Sequence, residues 1–169
     1  MSSIAQAKKD ALIANLVEAR KNILNAASAL PAKQRDEIFL GSWSVKDLLA
    51  HLIGWDYTNI QAVKAILTNK VPAFFSHYDK DWRTYNARLV TQYKLNNFSQ
   101  LVRAVQKSHR DFITLLQAVP AKEFSKDRGL RSNGYKVTIA RILQVELDDE
   151  RVHHQQIAEF GGHTNSYPV

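Results

Sequence analysis

The chain has 169 residues, the usual span of one domain, and no cysteine, which excludes disulfides, thiolate metal sites and a cysteine nucleophile. Its formal charge is +7, from 23 Lys and Arg against 16 Asp and Glu. The cations are spread, with Lys8-Lys9, Lys33/Arg35 and Lys126/Arg128/Arg131 the densest groups, so a solvated surface accounts for the charge as well as weak nucleic-acid binding does. No apolar run approaches the ~20 residues of a membrane span. The start, Met1-Ser2-Ser3-Ile4-Ala5, lacks the apolar stretch and cleavage site of a signal peptide, and the expected location is cytoplasmic.

There is no internal repeat or long linker, and residues 1–169 read as one helical domain. The first helix spans about Ser3 to Leu30. Its stripe Leu12, Leu16, Ala19, Ile23, Ala26 and Leu30 keeps one face apolar, and Pro31 ends it. The second opens at Ser44, where Ser44-Val45-Lys46-Asp47 reads as a capping-box variant, and closes at Asn69-Lys70-Val71-Pro72. Phe74-Phe75-Ser76-His77-Tyr78 reads as a loop with aromatic anchors. Asp79 to Tyr93 reads as a helix, with continuity into the next left open. The third long helix covers about Phe98 to Val119 and stops at Pro120. Arg128 to Tyr135 is a turn. The fourth runs from about Lys136 to Phe160, with Gly161-Gly162 as a C-cap pair. The expected fold is all-α: a four-helix bundle whose long second connection leaves room for a crossover.

The chemistry concentrates on helices two and four. His51 lies among Leu48, Leu49, Leu52 and Ile53. Asp149 and His153 are four apart, as are Glu150 and His154, so each pair shares a face. One seam of helix four, Ile142, Glu146, Asp149, His153, Gln156 and Phe160, is polar in its middle. Facing inward, it needs a metal ion or a wet cleft to satisfy it. The alternative stripe through Ile139, Ile142/Leu143, Val145/Glu146, Val152 and Ile157 packs apolar residues and leaves the polar groups at the edge. His51, Asp149 and His153 compose a two-histidine, one-carboxylate set of the kind that holds a divalent ion. A solvated Asp–His pair or a satisfied core histidine explains the same spacing. His77, His109 and His163 read as surface residues, and Trp43 as a staple at the start of helix two.

Trp43-Ser44-Val45-Lys46-Asp47-Leu48-Leu49-Ala50-His51-Leu52 and Val152-His153-His154-Gln155-Gln156-Ile157 resemble the helix-two and helix-four motifs of the DinB-like superfamily. His51-Leu52-Ile53-Gly54-Trp55-Asp56 and Asp81-Trp82-Arg83-Thr84-Tyr85-Asn86 are most similar to its DfsB and colibactin self-protection branch. The resemblance implies an up-up-down-down bundle, often a homodimer. It implies a divalent metal (zinc, nickel, manganese or iron) on three histidines. His51 and His153 match two positions, and Asp149 stands where the family has the third histidine. It further implies hydrolase or thiol-linked transferase chemistry on a small-molecule substrate, in detoxification or self-protection by opening an electrophilic ring. Glu146, Glu150 or His154 would serve as base or supporting residue. Trp55, Tyr57, Trp82, Tyr85 and Asn86 would line a pocket for a flat ligand, although core or interface packing accounts for these aromatics equally well. The alternative is a non-catalytic DNA-binding or ligand-sequestering protein.

Overall fold

The structure, a computed structural model, describes residues 3–77 and 81–164, with side chains through Gly162. Helix α1 runs Ile4–Ala29. Ser3 caps it by accepting from the Gln6 amide at 3.2 Å, and Leu30 before Pro31 turns extended. Strands β1 (Ile38–Leu40) and β2 (Trp43–Ser44) pair antiparallel around Gly41, whose φ of 60° favours glycine. They feed α2 (Val45–Leu67), where Ser44 and Asp47 complete both halves of the capping box. A tight turn at Ala73–His77 carries the aromatic anchors Phe74 and Phe75. Helix α3 (Trp82–Tyr93) follows, then α4 (Phe98–Ala118), a four-residue α5 (Ala121–Phe124), strands β3 (Arg131–Ser132) and β4 (Tyr135–Lys136), and α6 (Ile139–Thr164). No helix among the described residues is long and apolar enough to cross a membrane.

The core explains how the four long helices pack. At one end Ile23, Ala27 and Leu30 of α1 meet the start of α2 (Val45 to Ile53), the start of α4 (Leu101, Val105) and the end of α6 (Ile157). At the other end Ile13 and Leu16 meet the end of α2 (Ala62 to Ile66), the end of α4 (Phe112, Leu116) and the start of α6 (Ile139 to Leu143). Two helices therefore point up and two down, in the order up-down-down-up rather than up-up-down-down. The parallel middle pair, α2 and α4, needs the long crossover, and α3 fills it. Lys9 fastens the amino end of α1 by donating to the Gln117 and Val119 carbonyls at the end of α4, at 2.7 and 2.6 Å. These carbonyls lie in the last turn of α4, where no helical amide reaches them.

One open reading is resolved and three expectations are corrected. Helix α3 is not continuous with α4: Lys94 turns extended, and Asn97 starts a new helix by accepting from the Gln100 amide at 2.9 Å. Gly161-Gly162 does not end α6, which continues to Thr164. A Cβ on Gly161 would stand 3.0 Å from Leu30, so this glycine serves the approach of α1 to α6. His109 is buried, because the α4 stripe through Leu101, Val105 and Phe112 turns it inward. Neither proposed α6 seam is the buried one. Ile139, Leu143, Glu146, Leu147, Glu150 and Ile157 face inward, while Val145, Val152 and Asp149 meet solvent. The readings of Tyr78, of a helix start at Asp79 and of the His163 side chain lie outside the described residues.

Candidate functional site

Midway along the bundle, four helices each bring a polar residue to a dry centre. Arg20 of α1 donates through Nη1 to Asp56 Oδ2 at 2.8 Å and through Nη2 to Asp56 Oδ1 at 3.0 Å. Nη2 also donates to Glu150 Oε1 at 2.6 Å. Ser108 of α4 donates to Asp56 Oδ2 at 2.5 Å, and His109 Nδ1 stands 3.6 Å from Asp56 Oδ1, too far for a hydrogen bond. All but His109 are at most 2% exposed. Burial alone would push Asp56 up and Arg20 down. Their mutual attraction wins in both, so the Asp56 carboxyl lies below the usual range and the guanidinium is held more firmly charged. Among the described residues, Arg20 is the one permanent cation paired with these two carboxylates, Asp56 and Glu150.

The nearest titratable group bears the consequence. Glu146 lies one turn before Glu150 on α6 and is 7% exposed. It accepts one hydrogen bond, from Asn59 Nδ2 at 2.8 Å, and has no cation of its own. Burial, then the Glu150 charge, push its carboxyl up to about 8, with Arg20 and Asn59 opposing. At neutral pH it is a neutral acid, able to donate a proton.

Glu146 and Asn59 face a cavity of about 340 Å3. One wall is aromatic: Trp55 of α2 packs on Phe74 at 5.4 Å (89°) and on Trp82 at 5.1 Å (47°), with Phe75 behind. The second wall is the α6 face from Arg141 to Asp149. The rim is the β3–β4 hairpin, whose loop residues Asn133 and Gly134 both have positive φ (47° and 77°), the geometry that a two-residue loop in a twisted hairpin requires. Apolar walls with a few inward polar groups and a volume of this size suit a small molecule. A second, shallower groove of about 650 Å3 lies between α2 and α3, where Leu89 packs onto Gly54 so closely that a Cβ there would stand 2.7 Å from it.

The sequence candidates divide between these places. Trp55, Trp82, Glu146 and Asp149 line the cavity. Asn86 accepts from Trp55 Nε1 at 3.0 Å and so orients the indole. Tyr57, stacked on Tyr93 at 5.6 Å, and Tyr85, whose hydroxyl pairs with Thr58 at 2.7 Å, line the α2–α3 groove instead. Glu150 is held by Arg20, and His154 is half-buried on α6 away from both openings. Arg128 and Arg131 are tied to Glu123 and Asp127.

His51 and His153 do meet, with ring centroids 5.5 Å apart and edge-on. His51 is packed between Trp43 and Trp55 at 4.8 and 6.2 Å, so Trp43 staples the helix start as expected. Burial, the His153 charge and Arg20 depress the His51 imidazole to about 3. Asp149 is exposed at the cavity wall; partial burial raises its carboxyl, with His153 opposing. His153 turns Nδ1 to Gln156 at 2.9 Å. Among the described residues, no three His, Asp or Glu side chains converge closely enough to hold a metal. The trio His51, Asp149 and His153 therefore does not, among the described residues, meet the geometry of the divalent-ion site that the resemblance implies.

Arg20, Asp56, Asn59 and Ser108 were missed. The signal was present for three of them: Arg20 falls four residues after Leu16 and three before Ile23, and Asp56 and Asn59 continue the α2 stripe from Leu52 to Val63. Each is a polar residue on an apolar face, but partnership across helices is invisible in one-dimensional spacing.

A sequence-family model described as the DinB superfamily matches residues 15–157. Among solved structures, the chain resembles the crystal structure of the colibactin self-resistance protein ClbS in complex with a dsDNA. The TM-score is 0.73 and the identity 15%, over 90% of this chain and 94% of that one. It also resembles an uncharacterised protein from Escherichia coli UTI89, at TM-score 0.69 and 15% identity, over 95% of this chain and 96% of that one. At this identity the likeness shows the fold alone. No curated protein matches the chain.

Proposed function

The chain belongs to the DinB superfamily, and on that premise we propose that it is a hydrolase that opens an electrophilic small molecule by acid–base chemistry, in a protective role. The observation that carries the reading is Glu146, a neutral, buried carboxyl at the floor of an aromatic cavity. Asp149, three residues on and on the same wall, is its wet counterpart; side chains at this spacing are neighbours. Two carboxyls whose surroundings differ this much divide into acid and base. Water bonds through oxygen to the electrophilic carbon, and its proton passes to Asp149. The strained ring bond breaks, its electron pair stays on the departing atom, and that atom takes the Glu146 proton. Solvent returns the proton from Asp149 to Glu146, and the net change is addition of one water. The aromatic wall holds the flat part of the substrate, and Asn59 keeps the acid aimed. No metal enters this scheme. The self-resistance role of the ClbS relative agrees with a protective function.

The test incubates the purified protein with an aryl epoxide and an aryl-substituted activated cyclopropane, following gain of one water by mass spectrometry. Turnover that falls about 100-fold or more in Glu146→Gln, with binding retained, is expected. Undiminished turnover in that variant, or no turnover of either compound, overturns the reading.

A second reading, binding of double-stranded DNA, is favoured by the +7 charge and by the dsDNA bound to the ClbS relative. It requires affinity that falls steeply with salt. A flat salt response removes it.

A further inference from the structure

We infer that the cavity selects an aromatic molecule carrying an anionic group, bound with the anion at the Arg141–Lys136 end and the reacting atoms at Glu146. The assignment of the reacting end rests on the hydrolase reading; the anion preference does not.

The cavity is electrically ordered along α6. Arg141, Val145 and Asp149 recur every fourth residue and form one stripe, with Ile142 and Glu146 on the adjacent one. At 1.5 Å per residue, Arg141 stands about 7.5 Å from Glu146 and about 12 Å from Asp149 along the helix. Cations therefore occupy one end and carboxyls the other. A cationic ligand group is drawn to Asp149 and an anionic one to Arg141.

Three observations make the basic end receptive. The Arg141 guanidinium lies over the exposed Tyr135 ring, 4.9 Å from its centre, and has no carboxylate partner among the described residues. A guanidinium held over a ring by cation–π attraction still has N–H donors to offer a planar two-oxygen acceptor. Lys136 reaches Asp127 at 3.2 Å, but Asp127 also accepts from Arg131 at 2.8 Å, so one carboxylate serves two cations. Finally, α6 begins here: the Arg141 amide donates to Thr138 Oγ1 at 3.2 Å, and the positive end of a 26-residue helix adds to the local field. Other exposed arginines without acid partners, such as Arg103 on α4, line neither cavity nor groove. Trp55, Trp82, Phe74 and Phe75 form the aromatic wall of the same cavity, which suits one fused ring system.

The test titrates 2-naphthoate, 2-naphthalenemethanol and 2-naphthylmethylammonium at low salt, reading tryptophan fluorescence from Trp55 and Trp82. Naphthoate binding at least tenfold tighter than the alcohol, with the ammonium weakest, is expected. Arg141→Gln should erase that preference, Lys136→Gln should reduce it, and the equal-charge control Arg103→Gln should leave it intact. Glu146→Gln should keep it, because that carboxyl sits at the other end. Equal affinities for the three probes, or an equal effect of Arg141→Gln and Arg103→Gln, overturn the inference. Preference without turnover would remove the hydrolase reading alone, and turnover without preference would remove the anion inference alone.

Discussion

Helix α6 buries two glutamates one turn apart, and they live in different electrical worlds. Glu150 faces the sealed cluster, where the Arg20 guanidinium donates to it at 2.6 Å. Glu146 faces the cavity and receives only a neutral amide, Asn59, at 2.8 Å. Burial is similar, 1% and 7%. Pairing is what differs, and Glu146, without a cation, is the one pushed up. The sealed region stores charge inside the bundle, where it fixes four helices in register. The open region inherits the unbalanced negative field of that store and holds a neutral acid against a hollow. A structural ion cluster and a candidate catalytic acid are thus two halves of one arrangement.

The sharpest way to break this comparison is to remove the cation. Arg20→Met leaves Asp56 and Glu150 buried without their main partner, and should cost about 3–5 kcal/mol of folding stability in a denaturant titration. A loss below about 1 kcal/mol would mean that water enters the cluster and that the region is not sealed. Removing a neutral donor should cost less. Ser108→Ala takes one hydrogen bond from the Asp56 carboxylate, worth about 1.5–3 kcal/mol, while Arg20 remains in place.

The open half is sharpened by pH. Between pH 6.5 and 8 the folded chain holds a proton on Glu146 that the unfolded chain has lost, so stability falls as pH rises through this window. The expected fall is about 1.5 kcal/mol. From pH 4.5 to 6.5 the buried neutral His51 acts in the opposite sense, since the unfolded chain binds the extra proton there, and the two slopes offset each other. Below 4.5, His51 and the depressed Asp56 both withdraw stability as acid increases. Thermal melts should therefore peak between pH 4.5 and 6.5. Glu146→Gln should flatten the alkaline limb and leave the acid limb intact. Parallel curves for wild type and variant would show that Glu146 carries no raised proton affinity.

The helices were legible because their causes are local. Ser44 with Asp47, Pro31, Pro120 and the 3-4 spacing of α1 and α4 each act within a few residues, and the structure places the elements accordingly. The direction of α2 relative to α1 was not legible, because the β1–β2 hairpin between them reverses the chain by pairing rather than by helical pattern. On the site, Trp55 and Trp82, read as lining a ligand pocket, and Glu146, read as a base or supporting residue, all line the cavity. Asp149 was read on an inward seam with Glu146, and it is exposed at the cavity wall. Its four-residue spacing to His153 is a fact of one helix, whereas ligation needs a third group to arrive from another, which spacing along one chain does not reveal. Arg20 escaped because a long side chain on an apolar stripe reads as a solvent-seeking exception until its two acids are seen.

The smallest expected effect on stability is the most telling about Asp149. It is exposed at the cavity wall and makes no ion pair among the described residues, so Asp149→Asn should shift stability by less than about 0.5 kcal/mol. A metal ligand behaves differently: its loss removes bound-ion stabilisation along with the ion. The expected result is an Asp149→Asn protein that melts with the wild type, both carrying well under one divalent ion per chain by elemental mass spectrometry, while turnover drops because the base is gone. Stoichiometric metal in the wild type, lost together with several kcal/mol in Asp149→Asn, would show His51, Asp149 and His153 rearranging around an ion. The division between a sealed charge store and the proposed acid–base cavity would then fail at its open half.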